Sequence, residues 1–121
     1  MNTTEAVYIK SDLNNKEYFV QNTTEREEAA YILSIIDNKI GLFKNYLNKN
    51  VNNYPQFKPY IDQFCSRVNK MIIYENSTSG NYTSYTVNKG EELVLCLRSK
   101  KTGQLHDINL ITYVVLHELT H

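Results

Sequence analysis

Residues 106–121 constrain the fold more than any other segment, because they carry apolar side chains on two sides of one predicted helix. The helix is expected to begin after Asp107, whose side chain suits the N-cap position. One stripe contains Ile108, Ile111, Val115 and Leu119, and a second, nearly opposite, contains Leu110, Val114, His117 and His121. A helix that is apolar on two sides lies between other elements. The pattern therefore predicts a buried, central helix.

The end of this helix carries the pattern H-E-x-x-H, formed by His117, Glu118 and His121. The two histidines lie about 6 Å apart along a helix axis, one turn from each other. Both imidazoles can then bind one Zn²⁺, and the glutamate between them can accept a proton from a metal-bound water. We therefore predict His117 and His121 as metal ligands and Glu118 as a catalytic base.

A catalytic zinc needs a third protein ligand, and the chain offers no obvious one. His106 precedes His117 by roughly 16 Å along a continuous helix, so it is interpreted as a surface or capping residue. Cys65 and Cys96 follow apolar patterns that predict buried free thiols. The third ligand is therefore expected outside this chain. As an isolated polypeptide, the chain is predicted to bind zinc weakly and to be inactive.

The first half of the chain has the periodicity of a short hairpin followed by two helices. Residues 7–10 and 16–20 are β-favouring runs. Residues 24–27 form a capping-box pattern at Thr24, which predicts a helix over residues 25–49. After a polar break, a second helix is expected to end near Lys70.

From Met71 onwards apolar residues recur at every second position, as in a β-strand, rather than at helical spacing. Residues 71–75, 82–87 and 92–97 read as strands, and the last two flank a glycine-containing turn at residues 88–90. The economical arrangement is a three-stranded antiparallel sheet packed against two N-terminal helices and the C-terminal helix. This layout is α+β.

Charge and composition exclude several classes of protein. Thirteen basic residues balance thirteen acidic residues, so no long-range field attracts nucleic acid or an anionic membrane. No basic segment followed by an apolar one begins the chain, and no apolar run has the length of a membrane span. The expectation is an intracellular protein that is not secreted. Residues 1–121 are predicted to form a single domain, the N-terminal portion of a larger metallopeptidase domain.

The segments 84–98 and 115–121, SYTVNKGEELVLCLR and VLHELTH, resemble the WLM-type zinc metallopeptidases. The resemblance covers about residues 71–121, and the most similar version occurs in large DNA viruses and some eukaryotes. It implies a zincin-like fold, zinc bound by His117 and His121, and Glu118 as the general base. The branch also includes SprT-like and Spartan-like proteases, which digest DNA–protein crosslinks. A nucleic-acid-linked substrate is implied by this analogy alone.

The function expected from motif and resemblance is zinc-dependent hydrolysis of peptide bonds in a protein or peptide substrate. A strand edge within residues 82–98 is expected to hold an extended substrate by β-augmentation, although the pattern does not say which strand is the edge. The alternative is a non-catalytic module that keeps the scaffold and binds a protein or peptide partner.

Overall fold

The computed structural model describes residues 6–77, 83–88 and 90–119. The elements follow one another as β1 (Ala6–Lys10), β2 (Glu17–Gln21), α1 (Arg26–Asn50), α2 (Lys58–Lys70), β3 (Ile72–Glu75), β4 (Tyr85–Val87), β5 (Glu92–Leu95) and α3 (Ile108–Leu119). Two short 3-10 turns, Val51–Asn53 and Pro55–Phe57, connect α1 to α2. The predicted N-terminal hairpin and the first two helices are thus confirmed, with bounds that differ by a residue or two.

All five strands belong to one mixed sheet in the order β1-β2-β3-β5-β4. β1 pairs with β2, and β4 with β5, in the antiparallel sense. β3 lies between the two hairpins and runs parallel to both β2 and β5. The parallel step from β2 to β3 is possible because α1 and α2 form the long crossover that parallel neighbours require.

The predicted three-stranded antiparallel sheet is therefore wrong. The N-terminal hairpin is part of the sheet because Phe19 of β2 is in register with Tyr74 of β3, and two strands alone are only marginally stable. β3 pairs with β5 rather than with β4, so β4 becomes the edge strand. The apolar pattern identifies strands but carries no information about which strand lies next to which.

The core lies between α1 and one face of the sheet. Helical spacing gives α1 a continuous buried stripe, which includes Leu33 and Ile36. Against it pack the side chains of alternate strand positions, with Val20, Leu93 and Leu95 fully buried. The capping box expected at Thr24 is wrong, since the helix begins without a side-chain cap. Instead, the Arg26 amide donates to the Thr23 carbonyl at 3.2 Å.

α3 packs on this core with one stripe only. Ile111 and Val115 are buried, and Ile108 and Leu119 pack against the core from partly buried positions. On the second stripe, Leu110 is 48% exposed, and His117 is also exposed. The prediction of a buried helix with apolar contacts on both sides is therefore wrong. Within the described ranges, no helix is both long and apolar enough to cross a membrane.

Candidate functional site

Glu118 and His117 lie in the last turn of α3, and their positions follow from how this helix begins. The Asn109 amide donates to Asp107 Oδ2 at 3.3 Å, so the predicted N-cap residue acts as one. Helical geometry then turns successive side chains by about 100°. As a result Glu118 is half-buried whereas His117 is exposed.

A cavity of ≈330 Å³ lies beside the end of α3, and we call it the α2–α3 cavity. Its walls come from α2, α3, β4 and the residues that connect them. They are Phe64, Arg67, Val68, Met71, Thr86, Gly90, Glu118 and Leu119. Most of these side chains are apolar, and the two ionisable ones are Glu118 and Arg67. A predominantly apolar cleft with a few polar groups is the usual form of a ligand site.

The described structure brings together only part of the predicted metal site. Glu118 lines the α2–α3 cavity, but His117 does not. His121 lies outside the described residues. Among the residues that are described, no group of three or more His, Cys, Asp or Glu side chains is close enough to hold a metal ion. The zincin-like fold expected from the resemblance is thus contradicted, both by this absence and by the five-stranded sheet.

β4 forms the edge of the sheet nearest to this cavity. α3 contacts β4, and Thr86, the middle residue of β4, lines the cavity. The other side of β4 pairs with β5 from Tyr85 to Val87. An edge strand presents backbone groups that can pair with an added strand. The edge position that the sequence left open is therefore assigned to β4.

A second cluster of charged side chains surrounds Arg98, and the sequence patterns did not predict it. Arg98 Nη1 donates to Glu25 Oε1 at 2.6 Å, and its Nε lies 3.6 Å from Glu75 Oε2. The backbone amide of Gln21 donates to Glu75 Oε1 at 2.9 Å. Burial raises the pKa of Glu75, although the Gln21 amide and the Arg98 charge oppose this rise. The signal in the sequence is limited to Glu75 and Arg98, each of which directly follows an apolar run.

The Arg98 cluster connects segments that are distant along the chain. Arg98 Nη2 donates to Thr23 Oγ1 at 2.8 Å, and Nη1 also donates to the Gly103 carbonyl at 3.0 Å. The guanidinium thus joins the start of α1 to the loop before α3, while Glu75 joins β3 to β2. Every charged member contacts protein groups, so the cluster serves the fold rather than a ligand.

Cys65 is buried, as the sequence predicts, whereas Cys96, predicted to be buried as well, is only half-buried. Cys65 and Cys96 are free thiols, and burial raises the pKa of both. A raised thiol pKa disfavours the thiolate that nucleophilic attack or zinc binding requires. The His106 amide donates to the Leu97 carbonyl at 2.7 Å, and its half-buried side chain lines an open groove between α1 and the loop before α3.

Comparison with known proteins gives one informative match. The chain is 57% identical over 117 residues, or 97% of its length, to a protein of Acanthamoeba polyphaga mimivirus that is described as uncharacterized. The chain spans 59% of the length of that relative. No protein-family model and no solved structure matches the chain. The comparisons therefore link the sequence to a protein of a giant virus and leave its activity to be inferred from the site.

Proposed function

We propose that this chain carries the base and two of the metal ligands of a zinc-dependent metallopeptidase. The observation that carries the proposal is the position of Glu118. This residue is the glutamate of an H-E-x-x-H pattern, it lies half-buried at the end of a helix, and it lines a cavity of ≈330 Å³. A glutamate at the wall of an apolar cleft is suited to accept a proton from a reacting group.

The two histidines of the motif are of a residue type that binds zinc, but a catalytic zinc needs three protein ligands. Imidazole is a common zinc ligand, and the motif provides His117 and His121. The described residues alone hold no complete ligand set. Bound at these histidines, zinc would supply a polarised water and a Lewis acid. We propose that the third ligand comes from residues outside this sequence.

The described residues would contribute a proton acceptor, a binding edge and an apolar enclosure. Glu118 would take a proton from the attacking water and pass it to the leaving amine. The free edge of β4 would pair with an extended peptide, beside the wall position of Thr86. Phe64, Val68 and Leu119 would exclude water from the bond under attack, which strengthens the electrostatic interactions within the cleft.

The alternative is a peptide-binding module without catalysis. One observation favours it: the cavity that contains Glu118 is not lined by His117. In this case the edge of β4 and the apolar wall would still hold an extended segment, and no metal would be required. The two proposals differ in zinc content and in cleavage, so a single set of samples can distinguish them.

The test compares the complete gene product with its Glu118→Gln variant. Zinc is quantified by mass spectrometry, and cleavage of a denatured protein substrate is followed with time. We expect about one zinc per chain in both proteins, and a loss of roughly 10²- to 10⁴-fold in cleavage rate for the variant, because general-base catalysis contributes that much. Glu28→Gln, an exposed carboxylate on α1 outside the cavity, is the matched control and should cleave normally.

If Glu118→Gln keeps both its zinc and full activity, Glu118 is not the catalytic base. If the wild-type protein contains no zinc and cleaves nothing, yet binds an unfolded peptide, the binding module is the correct interpretation.

A further inference from the structure

Among the described residues, Arg67 is the one basic side chain that lines the α2–α3 cavity. It also lines a neighbouring, more open cavity of ≈380 Å³, together with Lys70 from the same helix. The two cavities adjoin, because both are lined by Arg67 and Gly90, and the depression that they make up together extends from Glu118 to the C-terminal turn of α2. Arg67 lies where the two parts meet.

The aliphatic part of Arg67 passes close to the turn between β4 and β5. Its Cδ atom lies 3.6 Å from the position that a Cβ would occupy at Gly90, which is ordinary van der Waals contact. Gly90 itself is buried. The Arg67 side chain as a whole is exposed, so its charged group can stay hydrated without a protein partner.

The two cations of this depression have no carboxylate partner within the described residues. The ion pairs of the described structure involve Lys16, Arg26, Lys58 and Arg98, but neither Arg67 nor Lys70. The nearby Glu91 accepts a hydrogen bond from Asn88 at 3.3 Å instead. Basic residues in the last turn of a helix are also favoured by its macrodipole, but that effect does not explain why Arg67 lines both cavities.

From this arrangement we propose that Arg67, assisted by Lys70, binds an acidic side chain of an extended peptide held in the α2–α3 cavity. A guanidinium matches a carboxylate with two parallel hydrogen bonds. The apolar neighbours Phe64 and Met71 suit the methylene groups of glutamate. The inference rests on the proposed function, and it assigns the substrate class as peptides with a glutamate or aspartate close to the bond that Glu118 addresses.

The experiment measures binding separately from cleavage. Two fluorescein-labelled ten-residue peptides, identical except for a central Glu or Gln, are titrated against the complete gene product carrying Glu118→Gln, and fluorescence anisotropy reports the dissociation constants. We expect the Glu peptide to bind about ten-fold more tightly, as for a typical charge-assisted hydrogen bond. Adding Arg67→Ala should abolish the difference, and adding Arg67→Glu should favour a third peptide with a central Lys.

Lys44→Ala is the matched control, since Lys44 Nζ donates to Asn69 Oδ1 at 2.6 Å and lines neither cavity. It should leave the preference unchanged. Thermal unfolding confirms that each variant is folded. A preference for Glu that survives Arg67→Ala overturns the inference. Equal binding of the Glu and Gln peptides, or no binding of either, also overturns it. Displacement of the Glu peptide by a single-stranded oligonucleotide at equal concentration would assign the cations to nucleic acid instead.

These outcomes are distinguishable from failure of the proposed function. If the wild-type protein binds the Glu peptide selectively but never cleaves it, the inference about Arg67 holds and the peptidase proposal fails. If the protein cleaves the Glu and Gln peptides at the same rate, the peptidase proposal holds and the inference about Arg67 fails.

Discussion

Two regions of this molecule contain an arginine near a glutamate, and they are built in opposite ways. The side chain of Arg98 is only 9% exposed and contacts Glu25, Glu75 and Thr23. Around Arg67, the side chain is exposed and forms no ion pair with Glu118, although both line the same cavity. The first region uses its charges to join segments of the fold. The second leaves its charges available to a ligand.

Comparing the two regions distinguishes charged residues that stabilise the fold from charged residues that are available to a ligand. A buried charge needs a partner, because an unpaired charge in the interior is costly. A charged group that lines a cavity at the surface is hydrated and needs no partner of opposite charge. The stability of the fold therefore does not explain why it lies there. By this criterion the α2–α3 cavity is the region whose residues should affect activity and binding, while the Arg98 cluster should affect stability.

The largest expected effect on stability is that of Arg98→Met. Removing the guanidinium leaves Glu75, which is 2% exposed, as a buried and poorly compensated charge. Breaking a buried pair in this way typically costs about 3–5 kcal/mol, and urea unfolding at pH 7 measures it. Arg67→Met is the matched control and should change the free energy of unfolding by less than about 0.5 kcal/mol. Similar losses for the two variants would remove the distinction between the regions.

An intermediate effect is expected for Gly90→Ala at the wall of the α2–α3 cavity. The backbone of Gly90 has φ +101°, in a region that L-residues rarely adopt, while space for a Cβ exists. The strain should lower the free energy of unfolding by about 1–3 kcal/mol.

Gly41→Ala provides the contrast to Gly90→Ala. Gly41 lies within α1 and nothing lies within 4 Å of its Cβ position. Alanine there should stabilise the protein by about 0.5–1 kcal/mol, as thermal unfolding of the two variants can measure. A neutral Gly90→Ala would mean that the turn relaxes freely and that the positive φ stores no strain.

The smallest expected effect is a change in the pH dependence of stability in Glu75→Gln. Because burial raises the pKa of Glu75 in the folded state, the folded protein binds a proton that the unfolded chain has released. The stabilising contribution is fully present below the unfolded pKa near 4.5, and it is lost as pH rises through the raised folded pKa. The Glu75→Gln variant has no titrating group at this position, so its stability does not fall for this reason as pH rises.

Urea titrations between pH 4 and pH 7 test this prediction. The stability of the wild type should fall relative to Glu75→Gln as pH rises. Glu118→Gln, measured in parallel, serves as the comparison from the other region. A constant difference between wild type and Glu75→Gln over the whole range would show that the Glu75 carboxylate does not titrate differently in the folded state.

Most of the secondary structure could be predicted from the sequence. The helical spacing from Ile32 to Ile40 and the glycine turn before Glu92 identify elements that the structure contains. Asp107 was correctly identified as the N-cap residue that precedes α3. The arrangement of the sheet could not be predicted, because β3 pairs with β2 across the whole helical half of the chain.

The candidate site was predicted only in part, for a related reason. The H-E-x-x-H spacing identified Glu118, which does line a cavity, but nothing in the sequence indicated that Arg67 of α2 and Gly90 of the β4–β5 turn line the same cavity. The prediction that both stripes of α3 are covered was wrong, because one side of the helix packs on the core and the stripe that carries His117 remains exposed. The zinc ligands His117 and His121 stay a prediction.

The sequence by itself determined the local elements, the two hairpins and the position of Glu118 on a helix, because periodicity and turn chemistry act over a few residues. The tertiary structure alone decided which strands are neighbours, which stripe of α3 is exposed, and how Arg98 reaches Glu25 and Glu75. These features depend on contacts between residues far apart in the chain, where burial and charge pairing are set by the whole fold rather than by any single segment.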